Sequence, residues 1–319
     1  MNPVERVRLG RTRVHVTRLG LGLAPLGGLF TAVSAETARD TMHRAWQLGI
    51  RYFDTAPLYG NGLSERRAGP ALASRPRAEF ALSTKVGRLL RPGGAHTQEI
   101  WAEPADESPV FDFSGAGVRT SYAESLDRLG LGRADILHLH DPDEHFDQAV
   151  REALPALAEL REQGRIDVVS AGMNQSRMLA DLVRTGELDA VLLAGRFTLL
   201  DQSGAADLLP LCADRGVSVI AAGVFNSGLL ADPRPGASFD YAPAEPRLVA
   251  RALALRAVCE RHRVPLRAAA IQFPLTHPAV TCVLVGARTP TEVGDAVRMS
   301  AVSIPGTLWA DLRSEGLIR

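Results

Sequence analysis

The chain of 319 residues contains almost no lysine. Lys85, in "FALSTKVG" (residues 80–87), is the only one, although lysine and arginine together number 36. A guanidinium group is a planar fork that stays charged, whereas an ammonium group is a compact point charge that can sit close to one partner. The lone lysine therefore indicates either chance survival or a site where arginine cannot replace it.

Cysteine is also scarce, and neither charge sign is in excess. Cys212, Cys259 and Cys282 are odd in number and far apart, which argues against a disulfide framework or a structural zinc site. With 36 acidic and 36 basic residues, no basic face indicates binding to nucleic acid or to an anionic membrane. No apolar run is long enough for a membrane span or placed as in a signal peptide. We therefore expect a soluble cytoplasmic protein that binds a small molecule.

Short apolar runs alternate along the chain with longer amphipathic segments, a pattern typical of a parallel sheet with crossover helices. The predicted strands are residues 17–24, 51–56, 80–86, 134–140, 166–173, 190–195, 217–223 and 281–287. Eight strand–helix units favour a (β/α)8 barrel, built as a single domain over 1–319, because a doubly wound sheet commonly has about five or six strands.

Helical segments follow most of the predicted strands. Residues 34–49 are predicted to begin with a capping box at Ser34, and residues 146–164 form a second clear helix. Two long Gly/Pro-rich connections, 88–114 and 231–246, follow the third and seventh strands. Loops after the strands build the active-site face of a barrel, so these connections are expected to be functional, with disordered insertions as the alternative.

Four polar side chains lie at or just after the ends of neighbouring predicted strands. Strand alternation places Asp54 at the carboxyl end of the second strand, facing the barrel mouth, with Tyr59 on the following loop. The same argument places Lys85 and His140 at the ends of the third and fourth strands. Each residue alone has a structural explanation, but together they occupy the rim where barrel enzymes have their catalytic groups.

These residue types fit acid–base chemistry on a carbonyl or an alcohol. A tyrosine hydroxyl has a reference pKa of about 10, so its use near neutrality requires a lowering worth about 4 kcal/mol. An ammonium group about 4 Å away supplies roughly that much at an effective dielectric constant of 20. Asp54 would orient Lys85, and His140 would polarise the substrate oxygen or relay its proton. No side chain provides a hydride, so a nicotinamide cofactor is expected.

Motifs from about residue 17 to residue 300 resemble the aldo-keto reductase family. They are "FDTAPLYGNGLSERRAG", "LSTKVGRLL", "SLDRLGLGRADILHLHDPD", "GMNQ" and "VLVGARTP", in family order. The resemblance implies a (β/α)8 barrel and NAD(P)-linked oxidoreduction, with the family's catalytic tetrad on Asp54, Tyr59, Lys85 and His140. The stretches "APLGGLF", "LYGNGLSERR", "HDPD" and "AGMNQ" are most similar to the family's NAD-linked sugar dehydrogenase branch, which also includes pyridoxal 4-dehydrogenase. This implies oxidation of an L-fucose-like aldose at C1 to a lactone, with pyridoxal oxidation or general aldehyde reduction as alternatives.

The resemblance also implies a cofactor site. Its residues are Asn174 at the nicotinamide carboxamide, Phe225, Asn226 and Ser227 at the pyrophosphate, and Gly286, Ala287, Arg288, Glu292 and Asp295 in and after the last strand. Two family residues are missing: Ala194 replaces a glutamine, and Ala222 replaces the aromatic residue that often stacks on nicotinamide. Glu292 stands where NADP-preferring relatives have an arginine for the 2′-phosphate, which implies NAD over NADP, although Arg288 could face a phosphate.

Two alternatives of other classes stay open. "HLHDPDEH" contains an H-x-H pattern followed by acidic residues, which is typical of metal-dependent hydrolases on a barrel. That interpretation leaves Lys85 and Tyr59 without a joint role. A barrel that binds the cofactor and acts in regulation without turnover is the second alternative, because a fold does not fix a function.

Substrate selectivity is expected from the two long connections. Trp101, Phe111 or Tyr241 would offer apolar or stacking surfaces there. The identity of the substrate, the direction of the reaction and the oligomeric state stay open.

Overall fold

A computed structural model of the chain describes residues 1–93 and 100–319. Its strands are β1 (Arg6–Arg8), β2 (His15–Thr17), β3 (Leu19–Gly22), β4 (Tyr52–Asp54), β5 (Ala81–Val86), β6 (Arg88–Pro92), β7 (Glu107–Phe111), β8 (Ile136–His140), β9 (Val168–Met173), β10 (Ala190–Ala194), β11 (Ser218–Ala222), β12 (Ser238–Phe239), β13 (Ala242–Pro243) and β14 (Val280–Gly286). Its α-helices are α1 (Ala35–Gln47), α2 (Leu63–Ala73), α3 (Gly115–Leu129), α4 (Phe146–Gln148), α5 (Leu154–Glu162), α6 (Ser176–Arg184), α7 (Leu208–Arg215), α8 (Pro246–Arg261), α9 (Leu266–Gln272), α10 (Pro290–Ala301) and α11 (Gly306–Ser314). None of the helices in these two ranges has both the length and the apolar character needed to cross a membrane.

Eight parallel strands close into a barrel in the order β3, β4, β5, β8, β9, β10, β11 and β14, with β14 pairing back to β3. Helices surround the barrel, and their apolar faces join the outer sides of the strands in one large core. The predicted (β/α)8 barrel is therefore confirmed. Each predicted strand overlaps one barrel strand, with ends shifted by at most two residues.

Strand alternation separates the inside of the barrel from the outer core. On β4, Tyr52 packs in the cluster inside the barrel, whereas Phe53 packs in the cluster beneath the helices. Leu9, Val14 and Val16, in and beside the β1–β2 hairpin, belong to the inner cluster. The hairpin therefore closes the amino end of the barrel, while the carboxyl ends of the strands are left to form the mouth.

Aspartates at the amino ends of the strands help to fix the strand register. Asp135 Oδ2 accepts a 2.8 Å hydrogen bond from the Leu82 N–H and a 2.6 Å bond from Arg77. Asp189 Oδ2 accepts a 2.9 Å bond from the Val169 N–H in the same manner. A one-residue slip would turn every inward side chain outward, so these bonds help to hold the polar residues at the mouth.

The two long connections contain short antiparallel hairpins. Strands β6 and β7 pair within the first connection, and β12 and β13 pair within the second. Residues 94–99 of the first connection lie outside the described residues. The described parts therefore differ from the disordered insertions considered as an alternative.

Two helix predictions need correction in detail. Ser34 Oγ accepts a 3.0 Å bond from the Thr37 N–H and so caps α1, but the expected capping box is wrong because Thr37, not a glutamate, lies three residues after Ser34. The predicted helix 146–164 is interrupted by a π-helical turn at Ala149–Ala153. Pro155 follows this turn, and a proline within a helix lacks an N–H and crowds the carbonyl four residues earlier.

Candidate active site

The carboxyl ends of β4 and β5 bring Asp54 and Lys85 together inside the barrel mouth. Lys85 Nζ donates a 2.7 Å hydrogen bond to Asp54 Oδ2 and a 2.9 Å bond to the Thr55 carbonyl. The exposed fraction is only 2% for Lys85 and 3% for Asp54. An ammonium group has three N–H donors, so one remains beyond these two bonds. Lys85 Nζ lies 4.8 Å from the centroid of the Tyr59 ring.

Further hydrogen bonds fix the carboxylate of Asp54. Its Oδ1 accepts a 2.7 Å bond from Ser83 Oγ, which also lies 3.1 Å from the Tyr52 hydroxyl. His138 Nε2 lies 3.6 Å from Asp54 Oδ1, and His138 Nδ1 hydrogen-bonds Ser170 Oγ at 2.8 Å. The ion pair thus rests on a layer of polar side chains in the barrel interior.

Tyr59 is held at the mouth by a close approach of two backbone segments. A Cβ atom added to Gly27 would lie 2.7 Å from the carbonyl group of Tyr59, and one added to Gly60 would lie 2.2 Å from the Gly27 oxygen. Gly60 also has φ +62°, which favours glycine. The Tyr59 ring lies perpendicular to the His140 ring at 6.0 Å between centroids and 5.8 Å from Trp101.

The expected lowering of the Tyr59 pKa by Lys85 is not found. Burial raises the pKa of the Tyr59 hydroxyl well above its ordinary value, and the carboxylate of Asp54 raises it further. The cation Arg88 lowers this pKa, but by less than burial and Asp54 raise it. In the protein alone, Tyr59 is therefore a neutral proton donor at physiological pH.

His140 is neutral as well. Burial lowers its pKa well below the ordinary value, and the cations Arg88 and Lys85 lower it further. The Nδ1 atom of His140 is buried without a described partner, so Nε2 is the nitrogen that can meet a substrate. A neutral imidazole with its proton on Nε2 can donate a hydrogen bond to a substrate oxygen.

The metal-hydrolase alternative gains no support from this arrangement. Across 1–93 and 100–319, no cluster of three histidine, cysteine, aspartate or glutamate side chains has the geometry to hold a metal ion. His138 is engaged with Ser170, while the His145 ring lies against Phe111 and Phe113, at 5.0 and 5.4 Å between centroids.

A groove of about 570 Å³ runs beside the mouth. Of the predicted cofactor residues, those that line it are Phe225, Asn226, Ser227, Gly286, Arg288, Glu292 and Asp295. Ala287 is buried next to the groove, and Asn174 is exposed at the carboxyl end of β9 and does not line it. The volume lies within the range of about 300–1,000 Å³ that is usual for ligand sites.

Small residues leave the groove side of the mouth open. The inward positions at the carboxyl ends of β3, β10, β11 and β14 are Gly22, Ala194, Ala222 and Gly286. A Cβ atom at Gly286 would lie 2.9 Å from the ring of Pro25. Ala194 and Ala222, where the resemblance implied a glutamine and an aromatic residue, thus add little side-chain volume on this side of the mouth.

The loop after β11 has two successive residues with positive φ. Asn226 and Ser227 have φ of +46° and +55°, and both line the groove. The N–H groups of Asn226 and Gly228 donate to the Gly223 and Phe225 carbonyls, at 2.8 and 3.1 Å. The predicted pyrophosphate site lies at the groove and stays a prediction.

The arginines of the groove are paired with carboxylates. Glu292 Oε2 accepts a 2.7 Å bond from the Arg288 N–H, and Glu292 Oε1 accepts a 3.1 Å bond from the Arg288 guanidinium group. Asp295 accepts bonds from Arg267 at 2.8 Å and from Arg298 at 2.9 Å. Asp295, one of the cofactor residues implied by the resemblance, is thus already paired with two cations.

Arg88 and Asp141 belong to the mouth but were not predicted as site residues. Arg88 donates a 2.7 Å hydrogen bond to Asp141 Oδ2, which lies 3.5 Å from His140 Nε2. Arg88 lies three residues after Lys85, and Asp141 directly follows His140. Both therefore follow the end of a strand that bears a predicted site residue, and this position could have indicated that they belong to the site.

A closed parallel barrel with this polar mouth beside a cofactor-sized groove belongs to the barrel oxidoreductases that use nicotinamide cofactors. Residues 18–314 match the model of the Aldo/keto reductase family, and the chain belongs to that family. It is therefore an NAD(P)-dependent oxidoreductase.

Relatives of the chain include two bacterial dehydrogenases. It is 43% identical to a D-threo-aldose 1-dehydrogenase of Pseudomonas sp over 95% of each chain. It is 41% identical to a pyridoxal 4-dehydrogenase of Microbacterium luteolum over 98% of each. An aldo-keto reductase of Bacillus halodurans, solved in its holo form, superimposes with a TM-score of 0.79 at 26% identity, covering 99% of this chain and 97% of the other.

We predict that Lys85→Arg folds normally but loses most of its turnover, by about 100-fold or more, because a guanidinium fork would misplace both the charge and Tyr59. Steady-state rates and thermal unfolding would be measured for this variant and for a control, Arg151→Lys, which makes the reverse exchange at an exposed ion pair. Near-wild-type activity of Lys85→Arg would mean that arginine can replace Lys85 and that the lone lysine survives by chance.

We predict that Gly27→Ala lowers turnover by about 100-fold, because the added methyl group would push the Tyr59 backbone away from Lys85 and His140. Gly132→Ala is the matched control, since a Cβ atom there meets nothing within 4 Å. Equal rates in both variants would show that this backbone contact does not position Tyr59.

Proposed function

We propose that this protein is an NAD-preferring dehydrogenase that oxidises an aldose, such as L-fucose, at C1 to a lactone. The observation that supports this most directly is the Lys85–Asp54 ion pair next to Tyr59 and His140 at the barrel mouth. The names of the two bacterial relatives favour an aldose or pyridoxal as the substrate. Pyridoxal oxidation and general aldehyde reduction are the alternatives within the same chemistry.

Oxidation of a hemiacetal removes a proton from the C1 hydroxyl and a hydride from C1. Tyr59 acts as the base in its phenolate form, after its own proton has passed to solvent, and takes the proton of the C1 hydroxyl, while His140 Nε2 donates a hydrogen bond to the reacting oxygen and orients it. Lys85 stabilises the phenolate form of Tyr59 before the proton is transferred, and Asp54 keeps Lys85 in place. When a nicotinamide cofactor is bound, it supplies the hydride acceptor.

The residues of the groove would hold the cofactor. The loop with Asn226 and Ser227, which lines the groove, would bind the pyrophosphate, and Gly286 leaves room for close approach. Asn174 would bind the carboxamide from the end of β9. These roles suit either NAD or NADP.

Preference for NAD rests on Glu292. Its carboxylate would repel a 2′-phosphate and could accept hydrogen bonds from ribose hydroxyls. It also pairs with Arg288, the cation that could otherwise face the phosphate. The three cysteines are free and buried, which supports the cytoplasm as the place of the reaction.

The first test is NADH or NADPH formation by purified protein with L-fucose, D-arabinose, L-galactose, D-glucose and pyridoxal. We expect NAD-linked oxidation of at least one aldose. Because the pKa of Tyr59 is raised, oxidation should accelerate by about tenfold per pH unit from about pH 6 to about pH 10, and aldehyde reduction should be favoured at the lower end.

Other outcomes of this panel distinguish the alternatives. Activity with pyridoxal alone would change the substrate and keep the mechanism. Measured NAD binding without turnover of any compound, including simple aldehydes in the reducing direction, would support the regulatory alternative. A rate of oxidation that does not change with pH would argue against Tyr59 as the proton acceptor.

We predict that Glu292→Arg shifts the ratio of kcat/KM for NADP over NAD upward by at least about tenfold, because it replaces a repelling charge and releases Arg288. The control is Glu36→Arg, which makes the same change in the first turn of another helix, α1, at an exposed position. An unchanged ratio in Glu292→Arg would mean that Glu292 does not contact the ribose.

A further inference from the structure

Asp141 turns back over His140 at the end of β8. It has φ +45°, a left-handed conformation that aspartate tolerates better than most residues. Its N–H still donates a 3.1 Å bond to the Gly172 carbonyl on β9, so the turn begins directly at the strand end. The turn places Asp141 Oδ2 3.5 Å from His140 Nε2.

Arg88 fixes this carboxylate. Its side chain is 8% exposed and donates the 2.7 Å bond to Asp141 Oδ2, while its guanidinium carbon lies 4.8 Å from the Phe111 ring centroid. Ser121 Oγ donates a 3.1 Å bond to the Arg88 carbonyl and anchors the backbone as well. A cation buried to this degree is costly unless it is paired, so Arg88 and Asp141 hold each other in one geometry.

The carboxylate of Asp141 has unused capacity towards the mouth. A carboxylate offers about four acceptor sites, and the side chain of Asp141 is 32% exposed although Arg88 is buried. His140 Nε2, its neighbour, is the nitrogen assigned to the reacting oxygen. An oxygen on the next carbon of the substrate would lie about one hydrogen-bond length from the reacting oxygen and so within reach of Asp141.

We propose that Asp141 accepts a hydrogen bond from a hydroxyl on the carbon next to the reacting carbon, and that Arg88 positions the carboxylate to receive it. The site would then select 2-hydroxy carbonyl compounds and their hemiacetals over simple aldehydes. This inference rests on the proposed function and adds a specificity-determining residue to it. Aldoses carry such a hydroxyl on C2, whereas the phenolic hydroxyl of pyridoxal lies one carbon further from its aldehyde.

The test compares D-arabinose with 2-deoxy-D-ribose, which differ only by the hydroxyl on carbon 2. We expect wild-type kcat/KM to be about 10- to 100-fold higher for D-arabinose, the usual effect of a hydrogen bond to a charged group. Asp141→Asn should lower this ratio at least tenfold, while its fold is retained because asparagine also tolerates a left-handed backbone. Asp143→Asn removes the same charge two residues away and should leave the ratio unchanged.

Equal losses of Asp141→Asn on both sugars would overturn the proposal, because Asp141 would then act on His140 or on the fold alone. If wild-type protein oxidises neither sugar, the proposed function has failed for these substrates, and the ratio is measured for NADH-dependent reduction of L-lactaldehyde against propionaldehyde, which differ in the 2-hydroxyl. A preference that Asp141→Asn abolishes would support the inference independently of aldose oxidation. No preference in this pair, or no turnover of either aldehyde, would overturn it.

Discussion

The ion pair between Asp54 and Lys85 is the constraint on which the mouth of the barrel depends. Both groups are almost fully buried, and removal of either partner would leave an uncompensated charge inside the barrel, at a cost of about 3–5 kcal/mol. The pair joins neighbouring strands β4 and β5, so the barrel must close in register for it to form. Because the pair holds the ammonium group in place, it also fixes the distance from Lys85 to Tyr59.

The parts of the structure that follow from local periodicity could be predicted from the sequence. Alternation along β4, β5 and β8 was sufficient to place Asp54, Lys85 and His140 on the inner face, because a strand allows only two directions for each side chain. Counting strand–helix units was sufficient for the barrel, since the fold repeats one unit eight times. The groove residues came from family motifs, and most of them line one surface.

The parts that depend on distant contacts or unusual backbone geometry were beyond sequence reasoning. The direction of the Tyr59 pKa shift depends on burial in the folded protein and on the distances to Asp54 and Arg88, neither of which a linear motif records. The contact between Arg88 and Asp141 involves a left-handed backbone at Asp141. The sequence does not reveal this conformation, because a short polar residue can adopt other conformations as well. Asn174 shares the strand-end position of the other site residues, yet it does not line the groove.

The nearly lysine-free composition has a consequence for how the surface can be modified. The one lysine side chain is 2% exposed, and the N-terminal amine donates hydrogen bonds to Gln272 Oε1 at 3.2 Å and to the Ser300 carbonyl at 3.0 Å. Acetylation, ubiquitin attachment and amine-directed cross-linking therefore have no lysine target on the surface of the folded protein. A reagent that labels Lys85 must enter through the barrel mouth, so the rate of labelling would report how often that mouth is accessible.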